Sequence, residues 1–125
     1  MFEITITTDF AAAHRLNNYK GKCENLHGHN FAVEVSVLCS KLDSAYIAMD
    51  FKDLKRIVND IVGELDHKFL NDIEYFNKTN PTSEMIAKYI YEKIDKKLNG
   101  DCGCKMGRVS VYENKNSKAT YYEGE

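Results

Sequence analysis

The sequence predicts an α+β fold in which a four-stranded antiparallel sheet carries two helices on one face. Three observations support this prediction. Two stretches near the N-terminus alternate apolar and polar residues, two central stretches repeat apolar residues at helical spacing, and two stretches near the C-terminus alternate again. Because the helices follow each other between pairs of strands, the order ββααββ favours helices packed together on one face of the sheet.

The first two strands are defined by alternation. Residues 2–8 alternate, and their apolar side consists of Phe2, Ile4 and Ile6. If the alternation continues, His14 lies on that side and faces the core. The second strand has an apolar side made of Phe31, Val33, Val35, Val37 and Cys39. His27 and His29 share its parity, so we expect all three histidines on the core side of two strands that pair as a long antiparallel hairpin.

The two helices have recognisable start and stop signals. Asp50 is the expected N-cap of the first helix, with Asp53 in its first turn, where an acid suits the helix dipole. Its apolar stripe is Phe51, Leu54, Ile57, Val58, Ile61 and Leu65. The second helix is expected to begin around Asn80-Pro81, because proline is tolerated in a first turn, and to end at Asn99-Gly100. Its stripe is Met85, Ile86, Tyr89, Ile90, Ile94 and Leu98.

The last two strands are expected at 108–112 and 119–123, with a turn at 115–118 between them. Glu113 continues the apolar parity of the first of these strands, so its carboxylate should point into the interior or into an interface. A buried carboxylate needs partners, and a ligand with two adjacent N–H donors would satisfy it. Four strands leave two unpaired sheet edges, so self-association is expected.

Length and composition exclude several classes of function. The 125 residues are expected to form one domain, 1–125, and the net charge of −2 gives no basic surface for a nucleic-acid partner. No apolar run reaches the ~20 residues that a membrane helix needs, and the N-terminus does not have the pattern of a signal peptide. A cytoplasmic protein is therefore expected, with its four cysteines present as reduced thiols or metal ligands.

The stretch Cys23-Glu-Asn-Leu-His27-Gly-His29 carries the chemistry. In extended backbone, His27 and His29 project to the same side, and Gly28 places no side chain between them and lets the backbone bend. Together with His14 they supply three nitrogens, and three histidines without a fourth protein ligand are typical of a catalytic zinc ion with one open position. A single histidine is more often a surface or core residue, but the shared parity of all three favours a metal site.

Three other features keep alternatives open at this point. Cys23 is a fourth zinc ligand, a catalytic thiol or an inert thiol; its polar neighbours disfavour the last, and the spacing supports the first two equally. Asp66-His67 adjoins a helix end, so the imidazole either serves the helix dipole, which the residues alone favour, or forms an acid/base pair. Cys102-Gly-Cys104 is expected to be a loop with reduced thiols, and Cys39 is expected in the core.

Six segments in chain order carry a family resemblance: Phe10-Ala-Ala-Ala-His14, Cys23-Glu-Asn-Leu-His27-Gly-His29-Asn30, Met49-Asp50-Phe51, Leu65-Asp66-His67-Lys68-Phe69-Leu70-Asn71, Asn80-Pro81-Thr82-Ser83-Glu84 and Val111-Tyr112-Glu113. With them the chain resembles the 6-pyruvoyltetrahydropterin synthase and 6-carboxytetrahydropterin synthase family. The resemblance implies the tunnelling fold (T-fold), in which subunits with two strand pairs and two helices assemble into barrels. It also implies a homo-oligomer, commonly a hexamer of two stacked trimers, with active sites between subunits.

The resemblance also implies the catalytic residues and the cofactor, Zn²⁺. The residues that match the family's zinc ligands are His14, His27 and His29. Cys23 matches the catalytic thiol, which favours the acid/base role over the ligand role for this residue. Asp66 with His67 matches a pair that shuttles protons, and this overrides the helix-end interpretation of the pair.

For the substrate, the resemblance implies a pterin that carries a triphosphate, 7,8-dihydroneopterin triphosphate. Glu113 matches the carboxylate that anchors the amino-pyrimidine edge of the pterin. Thr82, Ser83 and Glu84 match a segment that lines the pterin pocket from a neighbouring protomer.

The short chain and the cysteine–histidine motif are most similar to the bacterial 6-carboxy enzymes of queuosine and 7-deazaguanine biosynthesis. The implied reaction is that of a lyase, which breaks a carbon–carbon bond, releases acetaldehyde and triphosphate, and gives 6-carboxy-5,6,7,8-tetrahydropterin. The alternative within the family is 6-pyruvoyltetrahydropterin synthase, which eliminates triphosphate without loss of carbon. An alternative of another class is a non-catalytic assembly module that a closed four-ligand zinc site stabilises.

Overall fold

In the computed structural model of the protein, residues 1–17, 25–98 and 103–124 are described, and they are organised around one sheet. Its strands are β1 (Phe2–His14), β2 (His27–Cys39), β3 (Lys68–Phe69), β4 (Cys104–Asn114) and β5 (Ser117–Tyr121). The helices are α1 (Phe51–Gly63) and α2 (Ser83–Lys97), and two short 3-10 helices, Leu70–Asp72 and Glu74–Phe76, lie between them. The strand order in the sheet is β3-β1-β2-β4-β5.

The antiparallel pair of β1 and β2 forms the centre of the sheet. Its register runs without interruption from Phe2 opposite Cys39 to His14 opposite His27, so the predicted long hairpin is confirmed. Because residues that face each other share one side of the sheet, this register turns the apolar sides of both strands toward the helices. One pair on that side is Phe10 and Phe31, whose stacked rings have centroids 5.1 Å apart.

The prediction of four antiparallel strands is wrong in one respect. Strand β3 pairs with β1 in parallel, at Ala12 and Ala13, so the sheet is mixed and has five strands. A strand of two residues has no measurable alternation, so the sequence pattern did not reveal it. Strand β3 matters for the site because it holds the two residues before it, Asp66 and His67, along β1.

Both helices pack against the apolar side of the sheet. The side chain of Asp50 caps α1, as predicted, and accepts a backbone hydrogen bond at 2.8 Å. Helix α2 begins at Ser83, later than predicted, because Thr82 is its cap and accepts a hydrogen bond from the backbone N–H of Met85 at 3.2 Å. Pro81 therefore precedes the helix instead of forming its first turn, and its carbonyl is available to another partner.

The core lies between the two helices and the sheet. Its fully buried residues from the helices are Leu54, Val58, Ile86, Ala87, Ile90 and Ile94, and those from the sheet are Phe31, Val33, Val35, Val37, Cys39, Val109 and Val111. Burial of this apolar surface is the main force that holds the helices on the sheet. Within the described ranges, no helix is long and apolar enough to cross a lipid bilayer.

The C-terminal strands differ from the prediction at their ends. Strand β4 begins at Cys104 instead of residue 108, and β5 begins earlier than predicted, at Ser117. Cys104 lies opposite Cys39 in the register, and the two form a disulfide. The expected core position of Cys39 is confirmed, but the expectation of reduced thiols is wrong for this pair, and Cys104 belongs to a strand instead of a loop. Cys102 lies outside the described residues.

The face of the sheet that points away from the helices is polar. The hydroxyls of Thr5 and Ser36 form a hydrogen bond of 2.9 Å between β1 and β2. Arg108 donates to both carboxylate oxygens of Glu3, with a shortest distance of 2.8 Å. Side chains on this face thus pair across strands, and the face needs no apolar cover in a single chain.

After β1 ends, two asparagine side chains form the hydrogen bonds to the backbone that a neighbouring strand would otherwise form. Asn71 accepts a hydrogen bond from Arg15 N and donates one to Arg15 O, at 2.9 and 2.7 Å. Asn80 forms the same two bonds with Asn17, at 2.8 and 2.7 Å. Each amide thus satisfies both backbone groups of one residue. These amide clamps fasten the chain that leaves His14 to the segments before α2.

Replacement of Asn80 by alanine should destabilise the protein. The Asn80→Ala variant loses two partly buried hydrogen bonds and leaves the backbone N–H and C=O of Asn17 without these partners, so we expect the free energy of unfolding to fall by about 1–3 kcal/mol. Asn77→Ala, at an exposed asparagine in the same segment, should lower it by less than about 0.5 kcal/mol. Urea denaturation measures both values, and equal values for the two variants would contradict a stabilising clamp.

Candidate metal centre and active site

Three histidine side chains converge at the end of the β1–β2 hairpin. His14 lies opposite His27 in the register, and His29 lies opposite Ala12. Side chains two residues apart on a strand share a face, so all three imidazoles lie on one side of the sheet, as predicted. The ring centroids are 4.6 Å apart for His14 and His27, 5.2 Å for His14 and His29, and 4.7 Å for His27 and His29.

His14 is the most buried of the three and has a defined tautomer. Its side chain is 1% exposed, and its Nδ1 lies 2.8 Å from the carbonyl oxygen of Pro81. Because a carbonyl only accepts, Nδ1 carries the proton and Nε2 keeps its lone pair. Burial lowers the pKa of the His14 imidazole, which favours the neutral form that a metal ligand requires.

His27 has the same arrangement at a more exposed position. Its Nδ1 lies 2.9 Å from the carbonyl oxygen of Asn25, so Nε2 is again the nitrogen with the free lone pair. Gly28, between the two histidines of the motif, lies in a regular strand, where an added Cβ would meet only the carbonyl oxygen of Ala12, at 3.8 Å. The expected backbone bend at Gly28 is therefore not what brings the rings together; strand alternation is sufficient.

Glu113, near the end of β4, reaches the same cluster. Its Oε1 lies 3.6 Å from Nε2 of His29 and 3.8 Å from Nε2 of His14. The carboxylate side chain is 42% exposed, so it lies at the edge of the cluster, and of the two expected positions, interior or interface, the interior one is not what a single chain shows.

The donor atoms fit a zinc ion. Nε2 of His14 is buried and has no hydrogen-bond partner within the part of the chain that the structure describes. A buried nitrogen in this state costs free energy unless something binds it. One ligand atom from each of His14, His27, His29 and Glu113 lies within 4.8 Å of the others. Imidazole nitrogen and carboxylate oxygen are ordinary zinc ligands, so these residues fit the cofactor that the resemblance implies.

Cys23 lies outside the described residues, so its role stays a prediction. The described chain ends at Asn17 on one side and resumes at Asn25 on the other. Both of these flanking residues contact the site region, Asn17 through the Asn80 clamp and Asn25 through the ring of His27.

Asp66 and His67 form a pair, as the resemblance implies. Nδ1 of His67 lies 3.0 Å from Oδ2 of Asp66. Helix α1 ends at Gly63, so His67 does not serve the helix end that the residues alone suggested. Instead, His67 has φ of 58°, a left-handed conformation that costs a non-glycine residue about 1 kcal/mol or more. Its backbone N–H donates to the carbonyl of Ala11 at 2.6 Å, which holds this conformation on β1.

The carboxylate of Asp66 is held in its charged form. Its Oδ1 accepts a hydrogen bond from the backbone N–H of Ala11 at 2.9 Å, and this bond, ahead of the contact with His67, holds the pKa of the Asp66 carboxyl below its ordinary value of 3.8. This carboxylate, 3.0 Å from Nδ1 of His67, fixes the orientation of the imidazole ring. The pair therefore has the properties of a proton-transfer group.

A groove with a volume of about 570 Å³ lies next to both His29 and His67. Its walls include His29 from the cluster and His67 from the pair, with Ala13, Gly28 and Phe69 between them. The volume is in the usual range for small-molecule pockets. Gly28 lines this groove but lies, by strand alternation, on the opposite face from His27 and His29.

The segment Thr82, Ser83 and Glu84 directly follows, in sequence, a residue that contacts the histidine cluster. It follows Pro81, whose carbonyl holds His14, and it forms the cap and first turn of α2. The role of this segment in the pocket of a neighbouring protomer stays a prediction. The amide clamps of Asn71 and Asn80 were not predicted, because a single amide in a polar segment leaves no periodic signal.

Comparison with known proteins identifies the family of this chain. The family model for 6-pyruvoyl tetrahydropterin synthase matches residues 3–124. The chain belongs to this family. A protein of Archaeoglobus fulgidus, named as a proposed 6-carboxy-5,6,7,8-tetrahydropterin synthase, is 43% identical over 117 residues, which cover 93% of this chain and 91% of that protein. A dihydroneopterin monophosphate aldolase of Pyrococcus furiosus is 42% identical over 110 residues, which cover 88% of each chain.

A solved member of the 6-pyruvoyl tetrahydropterin synthase family also shares the fold. The structure of the Caenorhabditis elegans 6-pyruvoyl tetrahydropterin synthase superposes with a TM-score of 0.84 at 28% identity, and the match covers 98% of this chain and 96% of that one. The T-fold that the resemblance implied is therefore confirmed, with the short β3 as the difference in detail.

The pKa of Asp66 gives a direct test of the pair's geometry. We expect Asp66 to titrate below 3.8 in the folded protein, and to stay below it in His67→Ala, because the backbone N–H of Ala11 is the main cause. Because the pKa of Asp66 is lower in the folded protein than in the unfolded chain, its charged form contributes to the free energy of unfolding. This contribution is fully present above pH 3.8 and is lost as the pH falls through the pKa of the folded state. Carboxyl carbon shifts in an NMR titration measure both midpoints. A return to 3.8 in His67→Ala would assign the shift to the imidazole instead.

Proposed function

We propose that this protein is a zinc-dependent carbon–carbon lyase that converts 7,8-dihydroneopterin triphosphate to 6-carboxy-5,6,7,8-tetrahydropterin with release of acetaldehyde and triphosphate. The observation that carries this proposal is that the buried Nε2 of His14, beside His27 and His29, has no hydrogen-bond partner among the described residues. Family membership and the likeness to the Archaeoglobus fulgidus protein support a pterin substrate and this type of reaction.

The zinc ion would be held by His14, His27 and His29. A bound zinc ion acts as a Lewis acid toward the hydroxyl oxygens of the pterin side chain and makes the neighbouring C–H and O–H bonds more acidic. The hydrogen bonds from His14 to Pro81 and from His27 to Asn25 keep each Nε2 free of protons and aligned. The rigid end of the hairpin thus supplies the ligands in a fixed arrangement.

Proton transfer is assigned to Cys23 and to the pair Asp66–His67. The side chain of His67 is 82% exposed, so its Nε2 is open to a substrate, while Nδ1 is held by Asp66 at 3.0 Å. The Asp66 carboxylate holds the ring in one orientation while His67 would exchange a proton with the substrate through Nε2. Cys23 would move the second proton as a thiolate, which a nearby cation favours.

Pterin binding is assigned to Glu113 with Thr82, Ser83 and Glu84. An ionised carboxylate has two acceptor oxygens, which match two adjacent N–H donors on an amino-pyrimidine edge. The exposed side of Glu113 at the cluster edge leaves it accessible to such a ligand.

We also propose a homo-oligomer, a hexamer of two trimers with active sites between subunits. Among the described residues, the outer edge of β1 pairs with β3 only at Ala12 and Ala13 and bonds to Asp66 and His67 at Ala11, so the part of this edge before Ala11 is the part that another strand could pair with. The exposure of His67 in a single chain also suits a site that a second subunit completes.

A second candidate is a dihydroneopterin monophosphate aldolase. The Pyrococcus furiosus relative with this name is 42% identical, almost the same level as the first relative. The two reactions differ in substrate and in the fate of the phosphate, because an aldol cleavage releases an aldehyde that retains its phosphate. The 6-pyruvoyl reaction differs from both, because it keeps all carbons.

Product analysis separates these reactions. With 7,8-dihydroneopterin triphosphate and zinc-loaded protein, we expect 6-carboxy-5,6,7,8-tetrahydropterin, acetaldehyde and free triphosphate, measured by mass spectrometry and an aldehyde assay. A parallel reaction uses dihydroneopterin monophosphate as the substrate. Turnover of the monophosphate alone would favour the aldolase, a pyruvoyl product would favour the sister synthase, and no turnover of either would contradict the proposal.

Removal of a ligand and removal of the thiol should have different effects on the metal. His27→Ala should lose bound zinc, because it removes one of three imidazoles. Cys23→Ala should keep zinc and lose turnover by about 10²-fold or more. Elemental analysis and the product assay measure the two effects, and loss of zinc in Cys23→Ala would make the thiol a ligand.

The same preparation tests the non-catalytic zinc module. A chelator should abolish activity but leave the circular dichroism spectrum unchanged, because the helices and sheet bury their own apolar core. Unfolding on chelation, together with absence of turnover, would favour the module.

A further inference from the structure

Three consecutive residues before α2 each hold a different part of the chain. The side-chain amide of Asn80 bonds to both backbone groups of Asn17, at 2.8 and 2.7 Å. The carbonyl oxygen of Pro81 lies 2.8 Å from Nδ1 of His14. Thr82 caps the helix with its hydroxyl. The carbonyl that fixes the His14 ring therefore lies between two residues that are themselves anchored.

The backbone around Pro81 has little freedom. The ring of a proline fixes its φ, and the residue before a proline is restricted to extended conformations. On the other side, the cap residue Thr82 is extended, with φ of −74° and ψ of 165°. Few rotations therefore separate the anchored side chain of Asn80 from the carbonyl of Pro81, so a displacement of one moves the other.

Upstream of Asn80 the chain is held less firmly. The backbone N–H of Thr79 lies 3.4 Å from the carbonyl oxygen of Phe76, which is long for a hydrogen bond. Among the residues that the structure describes, the Asn80 clamp is thus the strongest hold on the chain just before Pro81.

The two histidines with a bonded Nδ1 differ in how their acceptors are supplied. The acceptor of His27 is the carbonyl of Asn25, two positions away. The acceptor of His14 is 67 positions away, so it depends on how the segment before α2 is placed. Because 1% of the His14 side chain is exposed, solvent water has little access to this ring as a substitute partner.

The loss of this acceptor has a chemical consequence. In a neutral imidazole one nitrogen carries the proton and the other keeps a lone pair, and the hydrogen bond at one nitrogen decides which is which. Without the Pro81 carbonyl in place, the proton of His14 is no longer confined to Nδ1. A proton on Nε2 occupies the lone pair that a metal ligand requires.

We propose that Asn80 is a positioning residue for His14: its clamp on Asn17 keeps the Pro81 carbonyl on Nδ1 of the ring and so presents a free Nε2 to the metal. The inference rests on the metal site of the proposed function, to which it adds the side chain that orients the most buried imidazole. Asn80 does not contact the metal or a substrate in this role.

The chain contains a matched control for this role. Asn71 forms the same two bonds with Arg15, at 2.9 and 2.7 Å, directly after His14. Its clamp holds the strand side of the contact, where His14 is also fixed opposite His27 in the sheet register. Loss of the Asn71 clamp therefore loosens the same region but leaves the hold on the Pro81 carbonyl in place.

The experiment compares wild type, Asn80→Ala, Asn71→Ala and Asn80→Asp, which keeps the shape and the acceptor of the clamp. Each protein is freed of metal with a chelator, and its circular dichroism spectrum is recorded to check the fold. Long-range ¹H–¹⁵N correlation spectra of the ring nitrogens then give the tautomer of each histidine. The dissociation constant for Zn²⁺ is measured by competition with a chromophoric chelator.

We expect His14 of wild type and Asn71→Ala to carry its proton on Nδ1, and His14 of Asn80→Ala to populate both tautomers. His27 should be unchanged in every variant. The affinity for Zn²⁺ should fall roughly 10-fold in Asn80→Ala, the lower end of the range found when a partner of a metal-binding histidine is lost. Asn80→Asp should lie between wild type and Asn80→Ala in both measurements.

Two results would overturn the inference. An unchanged His14 tautomer and unchanged Zn²⁺ affinity in Asn80→Ala would leave the clamp with a purely structural role. Equal changes in Asn71→Ala and Asn80→Ala would assign the effect to general loosening instead of to the Pro81 carbonyl. A changed tautomer in Asn80→Ala alone, with no Zn²⁺ bound by wild type, would support the action of Asn80 on His14 and overturn the metal site of the proposed function.

Discussion

The site depends on the buried hydrogen bond from Nδ1 of His14 to the carbonyl of Pro81, 2.8 Å long. It fixes the tautomer of the most buried imidazole, and it ties the end of the hairpin to the start of α2. The bond is possible because α2 begins only at Ser83, with Thr82 as its cap, so the carbonyl of Pro81 is free to accept it. The candidate metal ligands and the proposed pterin segment are therefore held in one unit.

Features that depend on a repeating residue pattern or on near neighbours in the chain were predictable from the sequence. The hairpin, the shared face of the three histidines and the cap at Asp50 each depend on alternation or on a local hydrogen bond. The unpredicted features join distant parts of the chain. The bond from His14 to Pro81 spans 67 positions, the clamp between Asn17 and Asn80 spans 63, and the disulfide spans 65. No local pattern records such contacts.

The candidate site has two parts with different physical character. The histidine cluster lies on the paired strands of the hairpin and includes the buried His14, whereas His67 is largely exposed and has a left-handed backbone conformation. The parity of Glu113 correctly predicted that its side chain lies on the face of the three histidines. The register shift after Tyr112 was not predicted, because it has no periodic signal in the sequence. The pair of Asp66 and His67 was recognised only through the resemblance, since its geometry depends on the parallel contact with β1.

The hydrogen bonds that orient His14 and His27 end on main-chain carbonyls, those of Pro81 and Asn25. Every amino acid has such a carbonyl, so a point mutation at either acceptor position changes the side chain and keeps the acceptor. The backbone conformation thus determines which nitrogen of each imidazole carries the proton, and substitutions at the acceptor positions do not change this. An alanine scan would pass over both acceptors, whereas an insertion or deletion that displaces the start of α2 would disturb them.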